Sequence, residues 1–422
     1  MDLLWRNKNF SILFFGRVLT NIGDSLYYIA AMWLVYELGG NPFYSGLAGF
    51  LTLLPKSLQF ITGPLVDRWQ IKKTLVITQV LQFIMILIIP IAYYFNALSV
   101  ELVLIIMPIV SFIEQFAYPS QTKALPLILK KEQLIQGNSL FSFAYQGIDM
   151  IFTAFGGVLV ALMGAVTLYL VDSITFAITA ILFSFLTISQ KSTHPLNNQM
   201  AIKQANTSYI NDLKEGFSIV FHSLLAVSLL GAIICNFAIG VSMAVLPSFS
   251  NLKGGVDIYG YMLAAQSTGM LIGAVFSSWI GRFRVGLFTI IAFALGSICW
   301  TASGLVPWTT MSIVLFGLAW IPIGATNVLL GTVWQTVIPN RFLGRVNSVT
   351  YSMSAIAMPV GSLLGGYFAS TFNSIIIFAF SGAGLIVISI VWLLHPQLRA
   401  LPSVKEIGAE SFGLKITEKE VM

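Results

Sequence analysis

The chain has 422 residues, of which 57% are hydrophobic and 9% charged, with a formal net charge of +6. A soluble domain of this length has too little interior for so much apolar surface. The cations are scattered over separate short segments, which argues against a nucleic-acid footprint. The composition points to an all-α protein that crosses a lipid bilayer many times.

About 20 apolar residues span a bilayer as a helix. By that measure the chain reads as about twelve spans, at 10–37, 43–66, 74–95, 101–124, 136–162, 166–189, 224–250, 257–280, 286–305, 309–335, 346–369 and 372–394. Stretches 74–95 and 375–394 carry no Asp, Glu, Lys or Arg. The first run is too long for a signal-peptide core and lacks a clear small-residue cleavage site, so no cleaved signal peptide is expected.

The connections alternate in charge. One set holds Arg6 and Lys8, then Arg68, Lys72 and Lys73, then Lys130 and Lys131, then Lys191, Lys203 and Lys214, then Arg282 and Arg284, then Arg341 and Arg345, then Arg399 and Lys405; the other holds Lys253 and little else. The positive-inside rule places the first set, and with it both termini, in the cytoplasm of a multi-pass plasma-membrane protein.

Five ionisable residues fall at bilayer depth. Arg17 and Asp24 share a face of the first span, seven residues or nearly two turns apart, Lys56 is in the second, Glu114 in the fourth and Asp149 in the fifth. Such groups are costly in hydrocarbon and mark function by default. Desolvation disfavours a charged carboxylate, so Glu114, Asp149 and Asp24 are candidate proton sites, with Arg17 and Lys56 in the relay. A static ion-pair network holding helices together, for instance Arg17 or Lys56 with Asp24 or Glu114, is an equal alternative. Asp172, nearer the outer end of the sixth span, reads as a packing or capping residue. The later spans offer no charge at mid-depth. Asn236, Gln266, Asn327 and Trp320 are their candidate substrate contacts.

Residues 191–223 form the longest polar connection. Within it Tyr209, Ile210, Leu213, Phe217, Val220 and Phe221 recur at helical spacing, which fits an amphipathic helix on the inner membrane surface. The connection divides the chain into a six-span half at 1–190, a linker at 191–223, a second six-span half at 224–395 and a cytoplasmic tail at 396–422, polar and expected to be mobile. A weak repeat supports the division: Asn138-Ser139-Leu140 matches Asn347-Ser348-Val349, and Gly156-Gly157 matches Gly365-Gly366, both at an offset of 209 residues. Duplicated halves with a site near the midplane are a transporter architecture.

Gly63-Pro64-Leu65-Val66-Asp67-Arg68, followed by Lys72-Lys73, resembles the G-x-x-x-D-R-x-G-R-[RK] loop of the major facilitator superfamily. Gly281-Arg282-Phe283-Arg284 resembles its degenerate second copy. Stretches 126–140, 213–217 and 339–349 look like loops of the macrolide-efflux and drug-exporter branch. Gln70 and Ile71 stand where the family pattern has glycine and its first basic residue. The resemblance implies two pseudo-symmetric six-helix bundles, a monomer, and a cavity lined by the first, second, fourth and fifth spans. An Asp beside an Arg at a helix end can latch two bundles in one state, so the loop reads as a gate.

These features point to a secondary transporter that exports hydrophobic or amphiphilic small molecules by alternating access, with a proton gradient as its energy source. A lipid, a siderophore or another metabolite is the alternative cargo. No cofactor, metal or nucleic-acid partner is expected. The chain has no phosphate-binding G-x-x-x-x-G-K-[ST], no H-E-x-x-H and no G-x-S-x-G, so it does not read as an enzyme.

Overall fold

The computed structural model describes residues 2–57, 69–188 and 214–412. Everything regular in it is helical. In chain order the main helices are α1 (Lys8–Gly39), α2 (Pro42–Ser57), α3 (Ile71–Tyr94), α4 (Val100–Ile128), α5 (Leu134–Ser142), α6 (Ile148–Met163), α7 (Ala165–Ser184), α8 (Leu225–Lys253), α9 (Val256–Ile280), α10 (Val285–Leu305), α11 (Thr309–Val337), α12 (Asn340–Thr371), α13 (Ser374–Ser381) and α14 (Ala383–Leu394). Among the described residues, ten helices are long and apolar enough to cross a membrane. They carry exposed apolar faces. On α3, for example, Ile77, Ile84 and Ile91 recur every seven residues and all point outward. A surface of that kind belongs in lipid.

Two predicted spans are interrupted, and a third is described only in part. Span 43–66 begins as α2, and its second half lies outside the described residues. Span 136–162 is divided: a π-helical turn, Phe143–Gly147, separates α5 from α6. The wider turn disturbs the normal carbonyl ladder. Asn21 of α1 reaches into it, its Nδ2 donating to the carbonyl of Ala144 at 2.9 Å and to that of Tyr145. The last span is also interrupted, at Gly382, where Ser297 donates to the Gly382 carbonyl at 2.8 Å and Thr301 to that of Ala379 at 3.3 Å. Hydroxyls from α10 thus satisfy carbonyls at the break, as a helix interruption at membrane depth requires.

The chain forms two compact units. The first is Met1–Lys191 with Met243–Ser267 and Ser362–Ser374; the second is Ser192–Ser242, Thr268–Gly361 and Ile375–Met422. In the first unit α7 packs on both α1 and α3, and α2 packs on α4. There the matched glycine pairs of the sequence repeat make equivalent contacts. A Cβ on Gly157 would lie 2.4 Å from Gly260 Cα, and one on Gly366 would lie 2.6 Å from Gly46 Cα. Each contact joins a helix of one sequence half to a helix of the other, backbone to backbone, which only glycine permits. The helix contacts are therefore pseudo-symmetric.

In the second unit α10 packs on α11 and α14. Trp300, Phe316, Trp320 and Phe378 form an aromatic cluster at its centre. The segment after His395 is a packed strap as far as Phe412, where the sequence suggested a mobile tail. Leu398, Leu401, Ile407 and Phe412 are buried. Its backbone ties three points: Leu224 N–H donates to the Phe412 carbonyl at 3.0 Å, Val285 N–H to that of Pro402 at 3.1 Å, and Val404 N–H to that of Gly281 at 3.1 Å. Four apolar anchors outweigh the polar composition around them. Of the amphipathic linker helix, residues 214–221 are described and helical, with Val220 buried; Tyr209, Ile210 and Leu213 lie outside the described residues.

Candidate functional site

The first unit gathers the ionisable residues predicted at bilayer depth. Glu114 of α4 accepts an ion pair from Lys56 near the end of α2, Nζ to Oε2 at 3.2 Å. Both side chains keep partial exposure, 38% for Lys56 and 16% for Glu114. The pair is therefore only partly enclosed by the surrounding helices. Asp24 of α1 interacts electrostatically with Glu114, Arg17, Lys56 and Asp149. Asp149, in the first turn of α6, accepts a hydrogen bond from Ser25 Oγ at 2.7 Å. Three carboxylates and two cations from four separate stretches of chain thus face one region.

Arg17 is held differently from what spacing with Asp24 suggests. Its side chain is only 2% exposed, and its guanidinium lies over the Tyr145 ring, 4.4 Å from the centroid, with Tyr118 at 5.9 Å. Those two rings touch in a tilted pair, with centroids 4.7 Å apart and planes at 39°. A desolvated cation gains about 2 kcal/mol from an aromatic face. Tyr145 belongs to the π-helical turn that Asn21 fastens, so the turn positions the ring under the cation. Tyr118, Tyr145, Ser25 and Asn21 escaped the sequence reading. Their only signal was polarity or aromaticity one turn from a buried charge.

Asp172 is fully buried in α7. Thr175 Oγ1 lies 3.4 Å from its Oδ1, and a Cβ on Gly23 of α1 would lie 2.1 Å from the same atom. The carboxyl therefore fills the space that glycine leaves between α1 and α7, a packing role.

Of the gating-loop candidates, Gly63, Asp67 and Arg68 lie outside the described residues, while Lys72 and Lys73 are exposed at the start of α3. In the second copy Gly281 is fastened by the C-terminal strap, and Arg282 and Arg284 are exposed.

The substrate candidates separate. Asn236 and Asn327 both line a cavity of about 260 Å³ inside the second unit. Trp320 sits in the aromatic cluster, 5.7 Å from Trp300. Gln266 is buried in the first unit, its Oε1 without a hydrogen-bond partner among the described residues. Among the described residues no cluster of three or more His, Cys, Asp or Glu could hold a metal ion.

A family model described as transmembrane secretion effector matches residues 4–421. An uncharacterised MFS-type transporter of Bacillus subtilis, YvqJ, is 25% identical over 409 residues, covering 94% of each chain. Macrolide efflux protein A of Streptococcus pyogenes is 24% identical over 413 residues, covering 94% of this chain and 98% of that one. Among solved structures, a bacterial homologue of the human lysosomal transporter Spinster, in an inward-facing and unoccupied conformation, superposes with a TM-score of 0.66 at 12% identity, covering 92% of this chain and 95% of that one.

Proposed function

The chain belongs to the transmembrane secretion effector family within the major facilitator superfamily (MFS), and from that premise we propose a proton-coupled exporter of hydrophobic or amphiphilic small molecules. Membership establishes a secondary transporter that moves small molecules across a membrane and is not an enzyme. The proposal adds direction, coupling and cargo class. It also takes the chain as twelve spans in two six-helix bundles, 1–190 and 224–395, working as a monomer with both termini in the cytoplasm.

The observation that carries the coupling is the Lys56–Glu114 pair within reach of Asp24. A proton arriving on Glu114 cancels the charge that holds Lys56. The ammonium then has Asp24 and Asp149 as its nearby carboxylates, and α2 and α4 lose their ionic link while Ser111 Oγ still donates to the Thr52 carbonyl at 2.6 Å. Deprotonation restores it. A pair that breaks and remakes on protonation is a bistable element that a pH gradient can bias. Asp149 and Arg17 tune the field on Asp24. Export is supported by the likeness to a macrolide efflux protein over nearly the whole chain.

The test is efflux of the lipophilic cation rhodamine 6G from proteoliposomes under an imposed pH gradient, with Glu114→Gln beside the natural chain. Efflux that the gradient drives and the substitution abolishes supports the reading. Efflux indifferent to both overturns proton coupling. Absence of any movement removes the lipophilic-cation cargo in favour of a lipid, siderophore or other metabolite.

A further inference from the structure

We propose that the cavity in the second unit is a binding site for a neutral molecule with an apolar or aromatic body and an amide- or hydroxyl-type polar group. This inference concerns binding alone and does not rest on the direction or coupling of transport.

The cavity is built by two helices presenting the same pattern. Residues 228, 231, 232, 235, 236 and 239 of α8 line one wall, and residues 323, 326, 327, 330, 331 and 334 of α11 line another. Both sets follow the i, i+3, i+4 repeat of a single helix face. The volume exists because these faces carry Gly231, Ala232 and Gly331 where larger residues would fill it. A Cβ on Gly331 would meet nothing within 4 Å. At about 260 Å³ the cavity lies just below the range of roughly 300–1,000 Å³ usual for small-molecule sites.

The chemistry of the walls selects the ligand. No Asp, Glu, Lys, Arg or His lines the cavity, so an ion entering it would lose its water and find no counter-charge. Polarity comes instead from neutral groups. Asn236 uses Nδ2 on its own helix, donating to the Ala232 carbonyl at 2.9 Å, and keeps its carbonyl oxygen as an acceptor. Asn327 is exposed and carries both donor and acceptor. The Thr326 hydroxyl and Trp334 indole N–H, on the α11 wall, have no hydrogen-bond partner among the described residues. Thr326 is only 8% exposed. A buried polar group left unpaired is costly, and a bound acceptor would relieve that cost. Phe293 and Trp392 complete an aromatic surround.

The ligand could be a bilayer lipid, through its neutral carbonyl region, or a small molecule from solution. Photolabelling separates these. The probe is 4-benzoylbenzamide, a neutral aromatic ketone with an amide. Under near-ultraviolet light its ketone abstracts a hydrogen from a nearby C–H, and the two carbon radicals join, leaving a tertiary alcohol. Its isosteric anion, 4-benzoylbenzoate, is the control. In detergent, the neutral probe should label peptides spanning 228–239 and 323–334, and the anion should label them at least about tenfold less, a ratio equivalent to roughly 1.4 kcal/mol. Gly331→Leu, which places a side chain into open space, should reduce labelling by about tenfold or more. Asn327→Leu, at an exposed position, should reduce it several-fold and serves if Gly331→Leu does not keep the natural melting temperature. Labelling that also falls in proteoliposomes identifies bilayer lipid as the occupant; labelling that persists identifies a molecule from solution. Equal labelling by the anion, undiminished labelling in both variants, or crosslinks spread over outward-facing side chains would overturn the proposal.

Discussion

In the first unit, α1, α2, α4 and α6 bring Arg17, Lys56, Asp24, Glu114 and Asp149 within electrostatic reach of one another. In the second, α8 and α11 face a cavity with no charged side chain at all. Both units are built from helices of similar apolar character. On the reading proposed above, one architecture divides two physical tasks. In the proposed mechanism the charge cluster is the element that protonation biases, because adding a proton changes the mutual attraction of its members. Amides and aromatic rings in a neutral cavity ignore pH and discriminate by shape and hydrogen bonding.

If that division is real, substitutions should act differently in the two units. The largest effect belongs to Glu114→Gln. It removes the charge that pairs with Lys56 and should lower gradient-driven efflux at least about tenfold, the loss expected from roughly 1.4 kcal/mol of coupling. Truncation after His395 comes next. It strips Leu398, Leu401 and Phe412 from the second unit, each contributing up to about 1.5–3 kcal/mol by burial. Scanning calorimetry should show a lowered transition, separated from that of the first unit. A single unshifted transition would contradict the packed strap.

Tyr145→Leu should cost up to about 2 kcal/mol, because it removes the nearer of the two aromatic faces of the Arg17 guanidinium and leaves Tyr118 at 5.9 Å; thermal unfolding in detergent measures it. The smallest effect is expected of Asp149→Asn. The amide oxygen can still accept from Ser25, so stability should stay within about 0.5 kcal/mol, while the pH dependence of efflux shifts. The mirror-image change, Asn327→Asp, sharpens the comparison. A carboxylate on the neutral wall should abolish photolabelling by 4-benzoylbenzamide and leave the proton response of the first unit untouched.

Much of this was legible in the sequence. Charge-poor apolar runs pointed to long helices, ten of which among the described residues are long and apolar enough to cross a membrane, since a helix satisfies its own backbone in hydrocarbon. Their ends were less legible: α1 runs Lys8–Gly39 against an expected 10–37, and α12 runs Asn340–Thr371 against 346–369. Hydrogen-bonded helix continues past the point where apolar character stops. The residues of the charge cluster were each visible as costly groups at depth. Lys56 with Glu114 was one of several pairings the sequence offered, and which of them forms depends on how α2 meets α4. The π-helical turn at Phe143–Gly147 left no sequence mark beyond Gly147, and a single glycine is common in membrane helices. The strap was hidden because its anchors, Leu398, Leu401, Ile407 and Phe412, have no single period. The neutral cavity required knowing that two helix faces lined with Gly, Ala and Asn look toward each other.

The most direct test of proton coupling through Glu114 is rhodamine 6G efflux from proteoliposomes as a function of the imposed pH gradient. The account predicts efflux that rises with the gradient in the natural chain and is flat across it in Glu114→Gln. A substituted protein whose efflux still follows the gradient with the natural slope would contradict it.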